Sequence, residues 1–344
     1  MSWRKALPYI VLLQVPLLLF CFGRQTVPEP FVMNVPEGFP VPEMDTENPM
    51  TVEGVRLGKA LFIDKRLSVD NTISCASCHH PEKAFTDGLP TSLGVSGKKL
   101  PRNSPTLFNL AWNPNGFFWD GGAETLESQA YGPIIHADEM GMDLDTLLHR
   151  LRKDNKYVSA FRRVFGDSIQ SQYIVRALAQ YERSLVAADS RYDQFRKGDK
   201  SAFSAIEHKG LILVNQYCRS CHAGELFTDQ QFHNNGLDST FSNEDEEGVY
   251  QGRYRITYRK EDLGKYRTPT LRNVALTAPY MHDGRFGSLE EVLNHYQSGI
   301  HLSTTLDDKL INENDKTSLA LMENEKHEII AFLMTLTEKR LINE

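Results

Sequence analysis

The chain has 344 residues, enough for two domains of ordinary size. Its 38 lysines and arginines against 45 aspartates and glutamates leave a formal net charge of -7, which argues against a nucleic-acid binder, since such proteins present a basic face. A hydrophobic content of 40% with 24% charged residues describes a folded globular protein and excludes wholesale disorder.

The start of the chain stands apart. Arg4 and Lys5 precede an apolar run from Ala6 to Phe22, broken by Pro8, Gln14 and Pro16; this reads as an export signal, and its prolines make it a poor membrane span. Leu18-Leu19-Phe20-Cys21 partly matches a lipoprotein cleavage box, with Phe20 where a small residue is expected, whereas cleavage after Gly23 would discard Cys21. A lipid anchor, an uncleaved anchor and a soluble mature protein all stay open. From Val27 to Pro49 six prolines, Pro28, Pro30, Pro36, Pro40, Pro42 and Pro49, predict a tether without helix.

A helix is predicted over Thr51 to Phe62, ending before Asp64-Lys65-Arg66. The chain then reaches Cys75-Ala76-Ser77-Cys78-His79, a pentad that reappears as Cys218-Arg219-Ser220-Cys221-His222. Two thiols at this spacing form thioethers to the haem vinyl groups, and the adjacent imidazole ligates the iron. The chain has five cysteines, and the pentads use four of them. A zinc site or a redox Cys-x-x-Cys pair would leave His79 and His222 without a task, twice over. Two covalently bound haem c groups are therefore expected. Haem is attached covalently outside the cytoplasm, so leader and pentads point independently to the periplasm.

Between the pentads, His80-Pro81-Glu82 and Asp87-Gly88-Leu89-Pro90 predict a loop along a haem edge, with His80 at the surface. An aromatic stretch follows, Phe108, Trp112, Phe117, Phe118 and Trp119, before the turn Asp120-Gly121-Gly122. Asp143 to Arg152 places Leu144, Leu147, Leu148 and Leu151 on one helical face, and Ile174, Leu178, Tyr181 and Leu185 repeat that spacing. A helix from Ile206 to Tyr217 delivers the chain to the second pentad, Asp238 to Glu247 is a solvated acidic run, and Glu325 to Leu336 is a closing helix. No alternating stretch is long enough to force a sheet, so the fold is expected to be mainly α, with two cytochrome c-like haem domains. The expected organisation is a leader over 1–23, a Pro-rich tether over 24–50, an N-terminal peroxidatic haem c domain over 51–200 and a C-terminal electron-transfer haem c domain over 201–344.

With the pentads placed, the sequence resembles the bacterial di-haem cytochrome c peroxidase family from about Leu57 to about Leu336. The likeness rests on Leu57-Gly58-Lys59-Ala60-Leu61-Phe62, Asn103-Ser104-Pro105-Thr106, Trp119-Asp120-Gly121, Thr268-Pro269-Thr270-Leu271-Arg272-Asn273-Val274 and Thr277-Ala278-Pro279-Tyr280-Met281-His282-Asp283-Gly284. The resemblance implies that hydrogen peroxide reacts at the N-terminal haem while the C-terminal haem stores or relays electrons. It makes Trp119 the tryptophan between the haems. Glu139 falls at the position of the distal glutamate, with Gln129 and Pro133 at the family's offsets from Trp119. A carboxylate there takes a proton from one peroxide oxygen and returns it to the other. The resemblance also implies a calcium ion held by the Asn103 side chain and the carbonyls of Thr277 and Pro279, although Asn103 and Trp119 are one residue further apart than is common in the family.

Two departures bear on the branch. Ordinary members place a capping histidine sixteen residues after the first pentad histidine, where this chain has Val95; valine cannot bind iron, so the first haem is expected to be open in the ferric state. They also place a methionine fourteen residues after the position of His282, where this chain has Tyr296. A phenolate favours oxidised iron, a thioether reduced iron. Met281 and His295 are rivals to Tyr296 as the ligand. Both departures resemble the MauG-like branch, whose founding member uses peroxide to complete a tryptophan-derived quinone in a partner protein.

The expectation is a periplasmic haem-dependent oxidoreductase of this branch that uses hydrogen peroxide to oxidise a redox protein, a protein substrate or a small donor, with membrane contact only through an N-terminal anchor. An ordinary cytochrome c peroxidase fed by a cytochrome or copper protein and a non-catalytic electron-transfer cytochrome are the alternatives.

Overall fold

The structure, a computed structural model, describes residues 27–241, 248–311 and 317–342. The leader over 1–23 with Cys21, and residues 242–247 of the acidic run, lie outside the described residues. Among the described residues no helix is long and apolar enough to cross a membrane.

Helix α1 (Val52–Phe62) begins where Thr51 accepts a hydrogen bond from the Gly54 N–H and buries Leu57, Gly58, Leu61 and Phe62. Helices α2 (Leu126–Ile135), α3 (Leu144–Arg152) and α4 (Asn155–Phe165) start at Thr125, Asp143 and Asp154, each accepting a backbone N–H in its first turn. The spacing of Tyr157, Phe161 and Phe165 marks α4, which the sequence reading left unassigned between two amphipathic helices. Helix α5 (Ser171–Arg183) lies against α1 so closely that a Cβ on Gly58 would sit 1.9 Å from the Ala177 carbonyl oxygen. These elements enclose a first core around Leu61, Phe62, Leu147, Leu151, Phe161 and Leu178.

Helix α6 (Arg191–Arg196) opens the second half, and α7 (Ala205–Tyr217), with a Ser204/Glu207 capping box, runs directly into Cys218. A two-residue antiparallel pair, β1 (Phe232–His233) with β2 (Tyr266–Arg267), flanks the short helix α8 (Tyr254–Thr257). Helix α9 (Leu289–Asn294) continues into a π-helical turn over His295–Gly299. Helix α10 (Glu323–Met334) crosses α7 at Gly210, and α11 (Lys339–Ile342) returns Leu341 to the first core. The closing helix starts two residues earlier than expected and stops before Leu336, which is buried beyond its end. The second core gathers Tyr192, Phe203, Val214, Phe227, Phe332 and Leu333. The architecture is mainly helical, with two cytochrome c-like units.

The Pro-rich segment lies on the body of the protein. Phe39 stands edge-on to Trp112 at 5.2 Å, and the Trp112 indole N–H donates to the Pro40 carbonyl. Phe39 also lies under the Arg272 guanidinium, 4.8 Å from ring centroid to carbon. Arg272, 2% exposed, makes two parallel bonds to Asp193 at 3.0 and 2.9 Å. Burial alone would raise the Asp193 carboxyl, but the Arg272 guanidinium outweighs it and holds the group below its ordinary value. Its contribution to stability is therefore present above the ordinary carboxyl range and is lost as pH falls through the lowered folded value. Asp193→Ala strands the Arg272 charge and is expected to cost about 3–5 kcal/mol, read as a lowered midpoint in denaturant unfolding at neutral pH that largely converges with the parent under acid.

Candidate active site between two haem-binding pentads

Each pentad sits on a tight turn in which the histidine N–H bonds back to the first cysteine's carbonyl, at 3.0 Å for His79 and 2.8 Å for His222. At the second pentad both cysteines and the histidine line one cavity. The ring orientation is then set by a second bond. His79 Nδ1 faces the Phe85 carbonyl at 2.8 Å and the Ser104 hydroxyl at 3.3 Å. His222 Nδ1 faces the Phe227 and Pro269 carbonyls at 3.2 and 3.1 Å. A carbonyl only accepts, so Nδ1 carries the proton and Nε2 is left as the metal-binding nitrogen. Burial lowers both imidazoles, His222 to about 4, which keeps them neutral and able to ligate.

The four thiols are not in disulfides. Burial lifts Cys75 and Cys218 to about 12, the reverse of the lowered thiol that a redox pair needs. A large apolar cavity opens on Cys218, Cys221 and His222, walled by Leu226, Leu271, Val292, Leu293, Ile329 and Leu333 among others. Arg267 projects into it: burial lowers its guanidinium to about 10, Asp120 counteracting, and no carboxylate among the described residues pairs with it. An apolar slot with one unpaired cation at its wall suits haem, whose propionates need a counter-charge.

Motif residues from between the pentads and from beyond the second one converge on the same cavity. The Trp119 indole N–H donates to the Asn103 carbonyl at 2.8 Å, and the Asn103 N–H donates to the His282 carbonyl at 2.9 Å. The His282 ring stacks on Tyr266, centroids 3.6 Å apart. Asp120 holds this corner through Arg102 at 2.9 Å and Arg255 at 3.3 Å. The Asn103 amide nitrogen donates to the Leu89 and Pro90 carbonyls, which leaves its side-chain oxygen to accept. Thr277 and Pro279 line the cavity beside Asn103 and Trp119.

On the first pentad's side, Glu139 follows α2, and its negative charge reaches both Cys75 and Cys78. Its carbonyl accepts from the Val95 N–H at 2.8 Å. Gly94 lies so close to this segment that a Cβ would meet the Asp138 carbonyl. Gln129 is half-buried on α2, the helix that leads to Glu139. Sequence reasoning had no signal for Glu182, whose buried Oε2 lacks a hydrogen-bond partner; burial lifts this carboxyl to about 8, and its charge also reaches Cys75.

Of the three rivals at the second pentad, Tyr296 and Met281 line its cavity, whereas His295 lines a separate hollow with Arg285 and Glu291. Burial raises the Tyr296 phenol to about 12, partly offset by a bond from the Asn235 side chain.

A mainly helical chain with two cytochrome c-like units, each presenting a neutral histidine beside a thiol pair, defines a di-haem c-type cytochrome. The sequence profile of the di-haem cytochrome c peroxidases matches residues 52–201. The methylamine utilization protein MauG of Methylorubrum extorquens is 38% identical over 307 residues, covering 88% of this chain and 82% of its own. The cytochrome c551 peroxidase of Pseudomonas aeruginosa is 34% identical over 308 residues, covering 88% and 84%. Among solved structures, a MauG-like protein associated with microbial copper homeostasis superposes with a TM-score of 0.82 at 33% identity, over 91% of this chain and 97% of that one. The chain belongs to the di-haem cytochrome c peroxidase family. It is a haem-dependent oxidoreductase acting on peroxide, and its cofactors are two haem c groups.

Replacing Arg267 with leucine removes a unit positive charge from the wall of the second pentad's cavity. The reduction potential of the haem there is expected to fall by tens of millivolts, since a unit charge about 10 Å away at an effective dielectric near 20 contributes about 1.7 kcal/mol. Potentiometric titration of the two-haem protein reads this directly.

Proposed function

We propose that this protein works in the MauG-like manner: hydrogen peroxide reacts at a first haem that is open already in the ferric state, and the oxidising equivalents pass to a protein or small electron donor outside the chain. The observation that carries this reading is the bond from the Val95 N–H to the Glu139 carbonyl. The loop on which ordinary family members carry a capping histidine here brings an apolar, non-ligating side chain to the Glu139 segment, so nothing on that loop competes with peroxide.

Haem c, when bound, supplies the iron that takes peroxide and holds the oxidising equivalents. The chain's own residues do the rest. The Glu139 carboxylate would take a proton from one peroxide oxygen and return it to the other, which leaves as water. Gln129, on the preceding helix, orients the peroxide. Trp119, held by its N–H on the Asn103 carbonyl in the wall of the second cavity, would shorten the distance an electron must cross between the haems. Tyr296, which lines the second cavity with His222, would offer the iron an oxygen donor, a type that favours the oxidised metal over a stored electron. Asn103, with the carbonyls of Thr277 and Pro279, offers oxygen donors of the kind calcium takes. The leader assigns the reaction to the periplasm, with the redox or protein partner met there.

Two outcomes test this. Stopped-flow absorbance after mixing fully ferric protein with stoichiometric peroxide, without reductant, is expected to show rapid loss of the ferric Soret band, and Glu139→Gln is expected to slow it about 10²–10⁴-fold. A ferric protein that responds only after one electron is supplied returns it to the ordinary peroxidases. Val95→His is expected to convert the first haem's ferric EPR signal from high spin to low spin and to make the peroxide reaction depend on prior reduction. An unchanged high-spin signal would mean that this loop does not reach the iron.

A further inference from the structure

The second pentad's cavity is lined, besides His222, by two residues of types that ligate iron, Tyr296 and Met281, and one amide touches both. Asn235 follows β1, and its side-chain nitrogen lies 3.4 Å from the Tyr296 hydroxyl oxygen and 3.5 Å from the Met281 sulfur. A primary amide has two protons to donate, so both contacts form at once.

The placement of all three residues is built into the backbone. The Asn235 carbonyl accepts from His295 Nε2 at 3.0 Å, which engages the third rival and turns it out of the cavity. On either side of Asn235, the Asn234 side chain binds Ser303, Thr305 and the Gly236 N–H at 2.9 Å each. Met281 holds a left-handed backbone, φ +73°, which non-glycine residues adopt only where their surroundings impose it. It is imposed here by the turn in which the Gly284 N–H donates to the Met281 carbonyl and Tyr280 pairs with Phe286. Tyr296 is aimed by the π-helical turn that carries it.

The amide does not treat its two neighbours alike. A phenolic oxygen is a good acceptor, so a donor fixed beside it holds that oxygen in place in the cavity. A thioether sulfur is a weak acceptor and gains little. We propose that Asn235 is the ligand-selecting residue of the second haem: its amide, set between Tyr296 and Met281, favours the phenolic oxygen and leaves the Met281 sulfur as a latent ligand beside it. This rests on the reading of Tyr296 as the iron's oxygen donor. Asn235 is a positioning residue, and through the choice of donor it sets the second haem's potential.

The test is Asn235→Leu, of nearly the same size and without a donor, in the protein carrying both haems. The expected result is a methionine-to-ferric-iron charge-transfer band in the near infrared, a changed low-spin EPR signal and a raised midpoint potential, all confined to the second haem. The first haem's spectrum serves as the internal control, since general loosening would disturb both. Adding Met281→Leu is expected to remove the new band, and Asn235→Gln, which keeps the donor, to retain the parent spectrum. If Asn235→Leu folds poorly, Asn235→Asp removes the donor at unchanged size and is expected to shift the spectrum in the same direction. An Asn235→Leu or Asn235→Asp protein with parental near-infrared, EPR and potential overturns the proposal. Tyr296→Phe separates the two readings. If it leaves the parent spectrum unaltered, the assignment of Tyr296 itself fails; if it abolishes the signal while the Asn235 variants do not, only the selecting role fails.

Discussion

A pentad is useful only if its imidazole presents Nε2 inward, and in both halves of this chain a bond from Nδ1 to a backbone carbonyl decides that. The carbonyl comes from a different stretch in each case: Phe85, just beyond the first pentad, and Phe227 with Pro269, the latter far along the chain. Because the acceptors are main-chain atoms, no side-chain substitution at those positions removes them directly. What can remove them is a shift of the loops, and at the second pentad those loops carry Leu226 and Leu271 of the cavity wall. Packing and ligation are thus one constraint.

The same economy of means joins the two halves. Trp119, Asn103 and His282 form a chain of hydrogen bonds through main-chain atoms, and Tyr266 closes it by stacking. The Arg272–Asp193 pair stands behind the second pentad and under Phe39, so that the Pro-rich segment, which has no helix of its own, is clamped to the body by a guanidinium face. Motif residues that look alike in a sequence divide here by task. Arg272 holds architecture, whereas its near neighbour Arg267 faces the cavity with no carboxylate partner among the described residues.

Much of this was legible beforehand. The pentads announced their chemistry by spacing, and α3 and α5 by apolar residues at helical spacing, because both signals are local. Trp119 was singled out by its motif and Glu139 by its offset from Trp119; the first lines the cavity, and the charge of the second reaches the cysteines of the first pentad. Helix α4 escaped because its apolar stripe is aromatic and interrupted by arginines and a lysine. Asn235 escaped for a deeper reason: its meaning comes from two partners 46 and 61 residues away, and an asparagine after a short strand carries no pattern of its own. Arg267 is informative only through the carboxylate it lacks. The rivalry of Met281, His295 and Tyr296, left open by adjacency in sequence, narrows once His295 is seen bonded to the Asn235 carbonyl.

The π-helical turn at His295–Gly299 has one further implication. A π turn holds one residue more than the α turn it replaces, so the side chain aimed at the cavity is chosen by register as much as by residue type. Deleting a single residue there would rotate the following positions by about 100°, and a tyrosine would still be present in the sequence yet no longer face the pentad. Which side chain faces this cavity is therefore a property of backbone length, open to change by insertion or deletion without any substitution at Tyr296. Aligned positions alone are a poor guide to it in related chains whose helix lacks the extra residue.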